Sequence, residues 1–388
     1  MKSFFAKTAA VILAAVLLLP QRAQALSAQR AAVLEPVSER LLLDRNARER
    51  APMASTTKIM TALLICEQCN VLDRMRVPKE AVGIEGSSMY LREGEILTLQ
   101  ELLYGLMLSS GNDAAVALAI YCGGTVEGFV ERMNDKARAL GLKDTHFANP
   151  NGLDAPGHYS TARDLAALGA YAMENPIFAK TVSTKTITVG ERYLRNHNKL
   201  LWLLDGADGI KTGFTRTAGR ILVSSAQREG RRLVAATMDA PDDWRDHQAA
   251  LEQGFRNYRV RPLISAGEQL GLRPVVGGAG CVRLLAAEDF SYALASEEQP
   301  RIVLGGQNFV YAPVVQGAEA GNAYVMLNGK AIGKIGLVYG ETVEQQVPQK
   351  KSFWNRWRKT CGNDYKKSSP PGACAPDGSR KNGYWRDG

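Results

Sequence analysis

The sequence predicts a mixed α/β (α+β) protein, in which an antiparallel sheet covered by a helical subdomain is followed by a small all-β domain. Apolar residues recur at helical spacing through the middle of the chain, from residue 55 to 174. Runs of strand character lie on both sides of that middle, at 31–44 and 221–238, so they can pair in one sheet. From 259 to 347 short β-rich runs alternate with glycine, and 388 residues are enough for this second domain.

The first segment, 1–25, reads as a cleaved signal peptide. Lys2 and Lys7 precede the apolar run Thr8–Leu19, and Ala23-Gln24-Ala25 supplies a small-x-small cleavage pattern. The run is short for a bilayer span, so a retained N-terminal anchor is the less favoured alternative. We therefore expect an exported protein, located in the cell wall or on the outer face of the cytoplasmic membrane.

The excess positive charge lies at the two ends of the chain. The formal net charge is +9, of which residues 1–25 contribute +3 and residues 349–388 contribute +7, so the remainder carries −1. A nearly neutral folded part argues against a basic surface that binds nucleic acid. We therefore expect no nucleic-acid partner.

The elements of the first domain follow from periodicity and turn signals. Val33-Leu34 and Leu41–Leu43 predict two strands around a turn at Pro36–Glu39. Helical spacing predicts helices over Ser55–Glu67, Thr98–Met107, Asp113–Ala119, Val126–Leu140 and Thr161–Glu174, the last capped by Ser160 or Thr161. Strands are predicted at Thr184–Val189, Ile221–Ala226 and Arg232–Met238, with a turn at Arg228–Arg231 and a closing helix at Asp243–Phe255.

Beyond residue 257 the chain changes character twice. Residues 258–347 form the predicted β domain, with a hairpin at Tyr324–Ile332, and a stalk or positioning role is favoured for it. In the tail, 348–388, the aromatic residues Phe353, Trp354 and Trp357 share one side of a short helix near several cations. Such a segment can bind an anionic membrane surface or wall polymer, or remain a solvated basic tail.

The six cysteines and four histidines carry no metal signature. Cys66 and Cys69 lie on a predicted helix without a second pair of ligands, which favours small buried side chains over a metal or redox site. We expect no metal.

Ser55-Thr56-Thr57-Lys58 is the first motif with chemistry in it. A spacing of three on a helix places the hydroxyl and the amine on one face. A serine hydroxyl needs a nearby base to become a nucleophile, and a lysine serves as that base only when burial or neighbouring cations keep it neutral. At a helix start the Ser55 N–H is also available to an oxyanion.

The second and third motifs are each weak alone. Ser110-Gly111-Asn112 lies on an inter-helix turn, where Ser110 can relay a proton to a leaving amine and Asn112 can orient Lys58. Lys211-Thr212-Gly213, on a predicted strand, can bind a substrate carboxylate, while Gly213 permits close approach of a bound backbone. The N–H of Phe214 would be the second oxyanion donor.

Taken together, at spacings of 55 and 101 residues, the three motifs resemble those of the penicillin-recognising serine enzymes. Gly111 in the middle motif is typical of the low-molecular-mass D-alanyl-D-alanine carboxypeptidases of the peptidase S11 type. Further stretches similar to that family are Met53–Thr61, Gly86–Met89, Asn149–Leu153, His158–Leu165 and Asp208–Thr215.

The resemblance implies a serine β-lactamase/DD-peptidase-like fold over 26–257. It implies that Ser55 is the acyl-ester nucleophile and Lys58 its general base, with Ser110 and Asn112 completing the catalytic set and Lys211 and Thr212 holding the terminal carboxylate. The implied substrate is the peptidoglycan stem pentapeptide, which loses its terminal D-Ala, and β-lactam antibiotics would acylate the same serine. No cofactor is implied. Some members also use an Arg after the second C-terminal strand, for which Arg245 is the nearest candidate.

Three alternatives stay open at this stage. A class A-like β-lactamase needs a Glu for rapid deacylation, and the nearest match, Glu191–Arg195, ends in Arg. A DD-endopeptidase that cuts wall crosslinks would use the same residues. A non-catalytic cell-wall-binding protein is disfavoured by the intact Ser55, Lys58 and Lys211.

Overall fold

The structure is a computed structural model that describes residues 26–346, so the predicted signal peptide and basic tail lie outside the described residues. The chain divides into two compact units between Arg259 and Val260. Within the described part, no single helix is long and apolar enough to cross a membrane. The helices Asn112–Gly123 and Val126–Ala139, bent by 84° relative to each other, pass that test only as a pair.

The first unit combines short strands with a group of helices. Its strands are β1 (Arg30–Glu35), β2 (Arg40–Arg45), β3 (Arg74–Arg76), β4 (Ile96–Thr98), β5 (Thr186–Val189), β6 (Arg192–Arg195), β7 (Ala207–Thr215), β8 (Gly219–Arg228) and β9 (Arg231–Met238). Its helices are α1 (Lys58–Gln68), α2 (Leu99–Leu108), α3 (Asn112–Gly123), α4 (Val126–Ala139), α5 (Ala162–Ala172), α6 (Pro176–Ser183), α7 (Leu200–Leu203) and α8 (Asp243–Asn257), with 3-10 turns at Ala54–Thr57 and Lys79–Ala81.

Strands from both ends of this unit pair in one five-stranded antiparallel sheet, as predicted. The strand order is β2-β1-β9-β8-β7, and Arg30 lies opposite Met238. The turn between β8 and β9 falls at the predicted residues, and Glu229 and Gly230 both have positive φ there. The sheet therefore places β7, the strand that carries Lys211, at one edge.

The two faces of the sheet pack against different layers. Alternate side chains of a strand point to opposite faces. Val223 and Val234 accordingly join the large helical core, whereas Leu222 and Leu233 pack with Leu251 of α8 on the other side. Helix α1 lies inside the helical layer and is buried from Lys58 to Cys66. An apolar helix without a polar face is stable only in such a central position.

Most predicted helices are present, with shifted ends. Thr161, rather than Ser160, caps α5 by accepting a hydrogen bond from the Asp164 N–H. Thr98 and Glu101 form a reciprocal capping box at the start of α2. The predicted helix Ser55–Glu67 was wrong at its start, because Ala54–Thr57 form a 3-10 turn with Ala54 at φ +45°.

The second unit is rich in strands, as predicted. Strand β10 (Tyr258–Ile264) begins two residues before the boundary. The other strands of this unit are β11 (Gln269–Val276), β12 (Cys281–Ala286), β13 (Phe290–Ala295), β14 (Arg301–Leu304), β15 (Val310–Tyr311), β16 (Glu319–Leu327) and β17 (Lys330–Tyr339). A six-stranded sheet has the order β14-β16-β17-β12-β11-β15, and β10 pairs with β13. The predicted hairpin is confirmed: Asn328 and Gly329, both at positive φ, join β16 to β17.

Candidate active site

Ser55 lies on the 3-10 turn that leads into α1, and its surroundings fix that turn. The hydroxyls of Thr56 and Thr57 donate to the carbonyls of Met53 and Ala54, at 2.5 and 2.8 Å. His158 accepts the Ala148 N–H at Nδ1, so its proton is on Nε2, which donates to Thr57 Oγ1 at 2.8 Å. Burial lowers the pKa of His158 to about 4, which keeps this ring neutral near pH 7. Ser55 itself remains partly exposed.

Lys58 is completely buried one turn after Ser55. Its Nζ is 3.0 Å from Ser55 Oγ, 2.7 Å from Asn112 Oδ1 and 2.5 Å from the carbonyl oxygen of Asn151. Burial, followed by the charge of Lys211, lowers the pKa of Lys58 well below its usual 10.5. A neutral amine has two N–H groups and one lone pair. Because the two carbonyl oxygens can only accept, the lone pair is left for the Ser55 hydroxyl.

The turn between α2 and α3 carries Ser110 and Asn112, the two polar residues of the second motif. Ser110 adopts φ +61°, a conformation uncommon for a residue with a side chain. The Asn112 amide donates to the Glu85 carbonyl at 2.5 Å, and its backbone N–H donates to the Ser87 carbonyl at 2.7 Å. These bonds orient the Asn112 oxygen toward Lys58.

Asp113 anchors the loop that faces this turn. Its buried carboxylate accepts hydrogen bonds from Ser88 Oγ and from the backbone N–H groups of Met89 and Leu91. A carboxylate that accepts several hydrogen bonds holds its donors rigidly. The sequence carries no separate signal for Asp113, which directly follows the S-G-N motif as the first residue of a predicted helix.

Strand β7 brings Lys211, Thr212 and Gly213 alongside Ser55. Lys211 is buried, donates to the Thr212 carbonyl at 2.8 Å, and burial lowers its pKa to about 7. A Cβ atom on Gly213 would lie 3.2 Å from the Ser55 nitrogen, so the strand passes directly beside the first turn. The next residue, Phe214, follows on the same strand with an exposed side chain.

A second glycine makes a closer approach on the opposite side. Gly152 has φ +91°, and a Cβ there would fall 2.0 Å from the Ala54 carbonyl oxygen. Only glycine fits this contact. Gly152 belongs to the Asn149–Leu153 stretch, which also supplies the Asn151 carbonyl to Lys58; the sequence matched this stretch to a family without revealing its role.

A cleft of about 300 Å³ opens over these groups. Among the predicted residues it is lined by Ser55, Ser110, Thr212, Gly213 and Phe214. Lys58, Asn112 and Lys211 lie behind this lining as buried side chains. The structure thus brings residues of all three motifs together, through the contacts of Lys58 and the approach of β7 to Ser55.

The arginine that lines this cleft is Arg220. Arg245, the candidate from the sequence, is not among the lining residues, and its Nη1 is 3.9 Å from an Asp242 carboxylate oxygen. Arg220 follows from the register of the β7–β8 hairpin, which pairs it with Phe214. Its Nε and Nη2 bind the carboxylate of Asp243 at 2.9–3.1 Å. Since these bonds do not use Nη1, that nitrogen can donate to a ligand.

Within residues 26–346, no group of three or more His, Cys, Asp or Glu side chains is arranged to hold a metal ion. Cys66, Cys69 and Cys122 are free thiols, and burial raises the pKa of Cys66 to about 12.

Comparison with known proteins places the chain in one family. Residues 19–242 match the peptidase S11 family model, described as D-alanyl-D-alanine carboxypeptidase, and residues 258–345 match the C-terminal domain of penicillin-binding protein 5. The chain is 32% identical over 325 residues to D-alanyl-D-alanine carboxypeptidase DacF of Bacillus subtilis, covering 79% of this chain and 83% of that protein. It is 33% identical over 338 residues to DacC of Escherichia coli, covering 81% and 83%.

A solved structure supports the same assignment. Penicillin-binding protein 5 from Haemophilus influenzae superposes with a TM-score of 0.72 at 31% identity, covering 84% of this chain and 99% of that one. The family model spans more than half of this chain, and the match to the solved structure extends over both units. The chain therefore belongs to the peptidase S11 family of D-alanyl-D-alanine carboxypeptidases.

Proposed function

We propose that this protein is a serine D-alanyl-D-alanine carboxypeptidase that removes the terminal D-Ala from peptidoglycan stem pentapeptides. The observation that carries the proposal is the environment of Lys58, whose two carbonyl partners leave its lone pair for the Ser55 hydroxyl. This arrangement supports general-base activation of a serine nucleophile without a histidine.

The first step forms an acyl-enzyme. Ser55 Oγ attacks the carbonyl carbon of the D-Ala-D-Ala bond while Lys58 takes the hydroxyl proton. The backbone N–H groups of Ser55 and Phe214 stabilise the oxyanion, and the proton taken up by Lys58 passes through the Ser110 hydroxyl to the leaving amine. Free D-Ala departs, and water then hydrolyses the ester. A β-lactam carries a similar reactive amide and acylates Ser55 by the same route.

Recognition of the substrate end depends on positive charge at one side of the cleft. Thr212 and Lys211 bind the terminal carboxylate, and Arg220 adds a guanidinium from the neighbouring strand. This clamp selects peptides with a free C-terminal carboxylate.

The cleft favours a carboxypeptidase over a class A-like β-lactamase. Among the described residues that line it, the only acid is Asp243, which Arg220 already binds. Glu191 lies in the exposed turn between β5 and β6, where Arg192 pairs with Glu95 instead. Without a Glu to activate water, the β-lactam ester should hydrolyse slowly.

We also propose an extracytoplasmic location and a division of labour along the chain. Residues 1–25 would act as the signal peptide, 26–257 as the catalytic domain, 258–347 as a positioning domain and 348–388 as a contact with anionic membrane or wall polymer. The basic and aromatic composition of the tail supports this last role.

Mass spectrometry of the intact protein after incubation with penicillin tests the proposal, followed by an assay of D-Ala release from a diacetyl-Lys-D-Ala-D-Ala peptide. We expect one penicilloyl adduct on the wild type and none on Ser55→Ala. Ser296→Ala, which changes an exposed serine of the second unit, serves as the matched control and should label normally. Undiminished labelling of Ser55→Ala would show that the nucleophile is another residue.

A further inference from the structure

We propose that Cys69 and Cys122 form a disulfide bond when the protein reaches an oxidising compartment. The bond would tie the end of helix α1 to the end of helix α3, at the opposite end of both helices from the catalytic residues. The inference concerns two thiols that the catalytic proposal does not use, and it depends on the proposed extracytoplasmic location.

Helices α1 and α3 start at the same point of the active site. Lys58, the first residue of α1, bonds Asn112, the first residue of α3, at 2.7 Å. Cys69 directly follows α1, and Cys122 is the last residue but one of α3. At a rise of about 1.5 Å per residue, each cysteine lies roughly 15 Å along its helix from the catalytic end. Parallel helices would therefore place the two cysteines at the same level.

Contacts at the far ends of the two helices bring the cysteines together. The Cys122 sulfur is 3.7 Å from Oε1 of Gln68, the residue before Cys69. The Tyr121 hydroxyl donates to Asp73, in the loop after α1, at 3.1 Å. The thiols of Cys69 and Cys122 hydrogen-bond with each other. Two sulfur atoms in direct contact need only a small further approach to reach the covalent S–S length of about 2.05 Å.

Cys66 is a poorer partner for Cys69, although it is only three residues away. Side chains three apart on a helix have Cβ atoms about 5–6 Å apart, whereas the Cβ atoms of a disulfide are about 3.5–4.5 Å apart. Cys66 is also buried in the core of the helical layer, while Cys69 and Cys122 are both partly exposed. A co-reactant from solvent can therefore reach Cys69 and Cys122 more easily than Cys66.

The second unit already contains an oxidised cysteine. Cys281 is disulfide-bonded, unlike the three free thiols of the first unit. Disulfides form and persist in oxidising compartments and are rare in the reducing cytoplasm. An environment that keeps Cys281 oxidised also favours oxidation of a second pair of cysteines whose thiols are in contact.

Cys122 is the thiol that reacts first. Arg132 Nη1 lies 3.8 Å from its sulfur, and a nearby guanidinium stabilises a thiolate, which is the reactive form of cysteine. Burial, followed by the contact with Cys122, raises the pKa of Cys69 to about 12. Cys69 therefore keeps its proton until Cys122 has reacted.

The oxidation is a thiol–disulfide exchange with an external disulfide. The Cys122 thiolate attacks one sulfur of that disulfide, and a first thiol leaves. Cys69 then attacks Cys122 Sγ as it gives up its proton, and a second thiol leaves. The two cysteines together lose two electrons and two protons, which the two released thiols carry away.

A peptide map of the full chain tests the connection, after incubation with oxidised glutathione or with dithiothreitol. Remaining thiols are alkylated in denaturant, and a glutamyl endopeptidase that cuts after Glu67 separates Cys66 from Cys69. After oxidation we expect a crosslink between the Cys69 and Cys122 peptides, with Cys66 alkylated. The matched control Cys66→Ala should form the same crosslink. Alkylation of both Cys69 and Cys122 after oxidation, or a bond from either to Cys66, overturns the proposal.

Resistance to heat tests the effect of the bond. The temperature at which a fluorescent penicillin stops labelling Ser55 reports unfolding of the first unit. For the oxidised wild type it should be roughly 5–10 °C higher than for oxidised Cys122→Ser, because the bond closes a loop of about 50 residues in the unfolded chain. Both proteins should stop labelling at the same temperature after reduction. Comparing them in one redox state removes the contribution of the Cys281 disulfide.

The outcomes separate this proposal from the proposed function. At 25 °C, oxidised Cys122→Ser should release D-Ala from a pentapeptide at the wild-type rate, because Cys122 lies about 15 Å along α3 from Asn112. Equal labelling temperatures for the oxidised wild type and oxidised Cys122→Ser overturn the stabilising role of the bond. A wild type that neither binds penicillin nor releases D-Ala overturns the proposed function, and the peptide map then decides on the disulfide by itself.

Discussion

Lys58 combines complete burial with three oxygen neighbours, and this combination decides its protonation. Bringing a charged ammonium out of water is unfavourable, and Lys211 nearby adds a repulsive charge. Two carbonyl acceptors then fix which way the lone pair points. The base is therefore prepared before the substrate arrives.

Replacing Lys58 by Ala should slow acylation by about 10²–10⁴, the range of general-base contributions. Stopped-flow acylation by a fluorescent penicillin measures this rate. Lys143, an exposed lysine, provides a control variant (Lys143→Ala) that should acylate normally. Near-normal acylation of Lys58→Ala would mean that another group is the base.

The two buried lysines each predict a limb in the pH profile of kcat/KM on a peptide. The acid limb should lie well below pH 10.5, since the rate rises as Lys58 loses its proton. The alkaline limb should begin near pH 7, because Lys211, with a pKa of about 7, must be protonated to bind a carboxylate. The Lys211→Arg variant keeps its charge to higher pH and should lose the alkaline limb. An unchanged alkaline limb in that variant would assign it to a different group.

Arg220→Ala should lower kcat/KM on the pentapeptide by about 10–100-fold, the effect of losing a hydrogen bond to a charged group. Arg245→Ala should have little effect, since Arg245 does not line the cleft. Thermal unfolding of both variants separates weaker substrate binding from a loss of stability caused by removing the Arg220–Asp243 ion pair. If Arg245→Ala proved the more damaging change, the clamp would be misassigned.

At the scale of elements, a buried histidine joins the sheet to α8. His247 on α8 bonds Ser224 Oγ of β8 at 2.5 Å and Thr237 Oγ1 of β9 at 2.9 Å. Burial lowers its pKa to about 3, so the ring is neutral when folded. The unfolded ring takes up a proton below pH 6.5, so the unfolded state binds more protons between pH 6.5 and 3.

The free energy of unfolding should therefore decrease as the pH is lowered from 6.5 to 3. His247 alone should lower it by about 2 kcal/mol at pH 5. Urea unfolding at pH 7 and pH 5 measures the difference, and His247→Asn should reduce it. His146→Gln, which removes an exposed imidazole, is the control. An equal pH dependence in the wild type and His247→Asn would exclude His247 as its source.

The sequence was sufficient for elements with a strong period. Alternating runs such as Arg232–Met238 and the apolar helix after Ser55 were predictable, because burial of one face dictates their pattern. Strand β5 lies within the predicted strand Thr184–Val189. The hairpin β3–β4 and the partner strand β6 were missed: these strands are only three or four residues long, and Arg192 of β6 binds a distant Glu95. The 3-10 turn before α1 was missed as well, since it depends on the contact of Gly152 with Ala54, across nearly 100 residues of chain.

The residues of the candidate site also fall into those that the sequence identified and those that it did not. Ser55, Lys58, Ser110 and Lys211 stood out through their motifs. Arg220 and His197 carry no local signal, and Asn151 lies in a stretch that resembles the family but whose role the sequence did not reveal. Their positions depend on strand register and on loops that fold back from elsewhere. Arg220 becomes predictable only when the β7–β8 register is known, because the sequence around it resembles any exposed strand end.

At the scale of the whole molecule, the described residues that form the cleft all belong to the first unit. Deleting 349–388 should therefore leave kcat/KM on a short peptide unchanged while lowering binding to vesicles that contain anionic lipid. Vesicle sedimentation and the peptide assay measure the two effects. A large loss of rate would show that the tail contributes to catalysis, and unchanged sedimentation would exclude it as the membrane contact.

The nucleophile Ser55 lies on the 3-10 turn that leads into α1, and its base Lys58 is the first residue of that buried helix. Acylation of Ser55 by an antibiotic therefore depends on the folded interior that holds α1 in place. Covalent labelling of the protein by a fluorescent antibiotic during slow heating should be lost at the temperature at which the protein unfolds. The label then reports on unfolding.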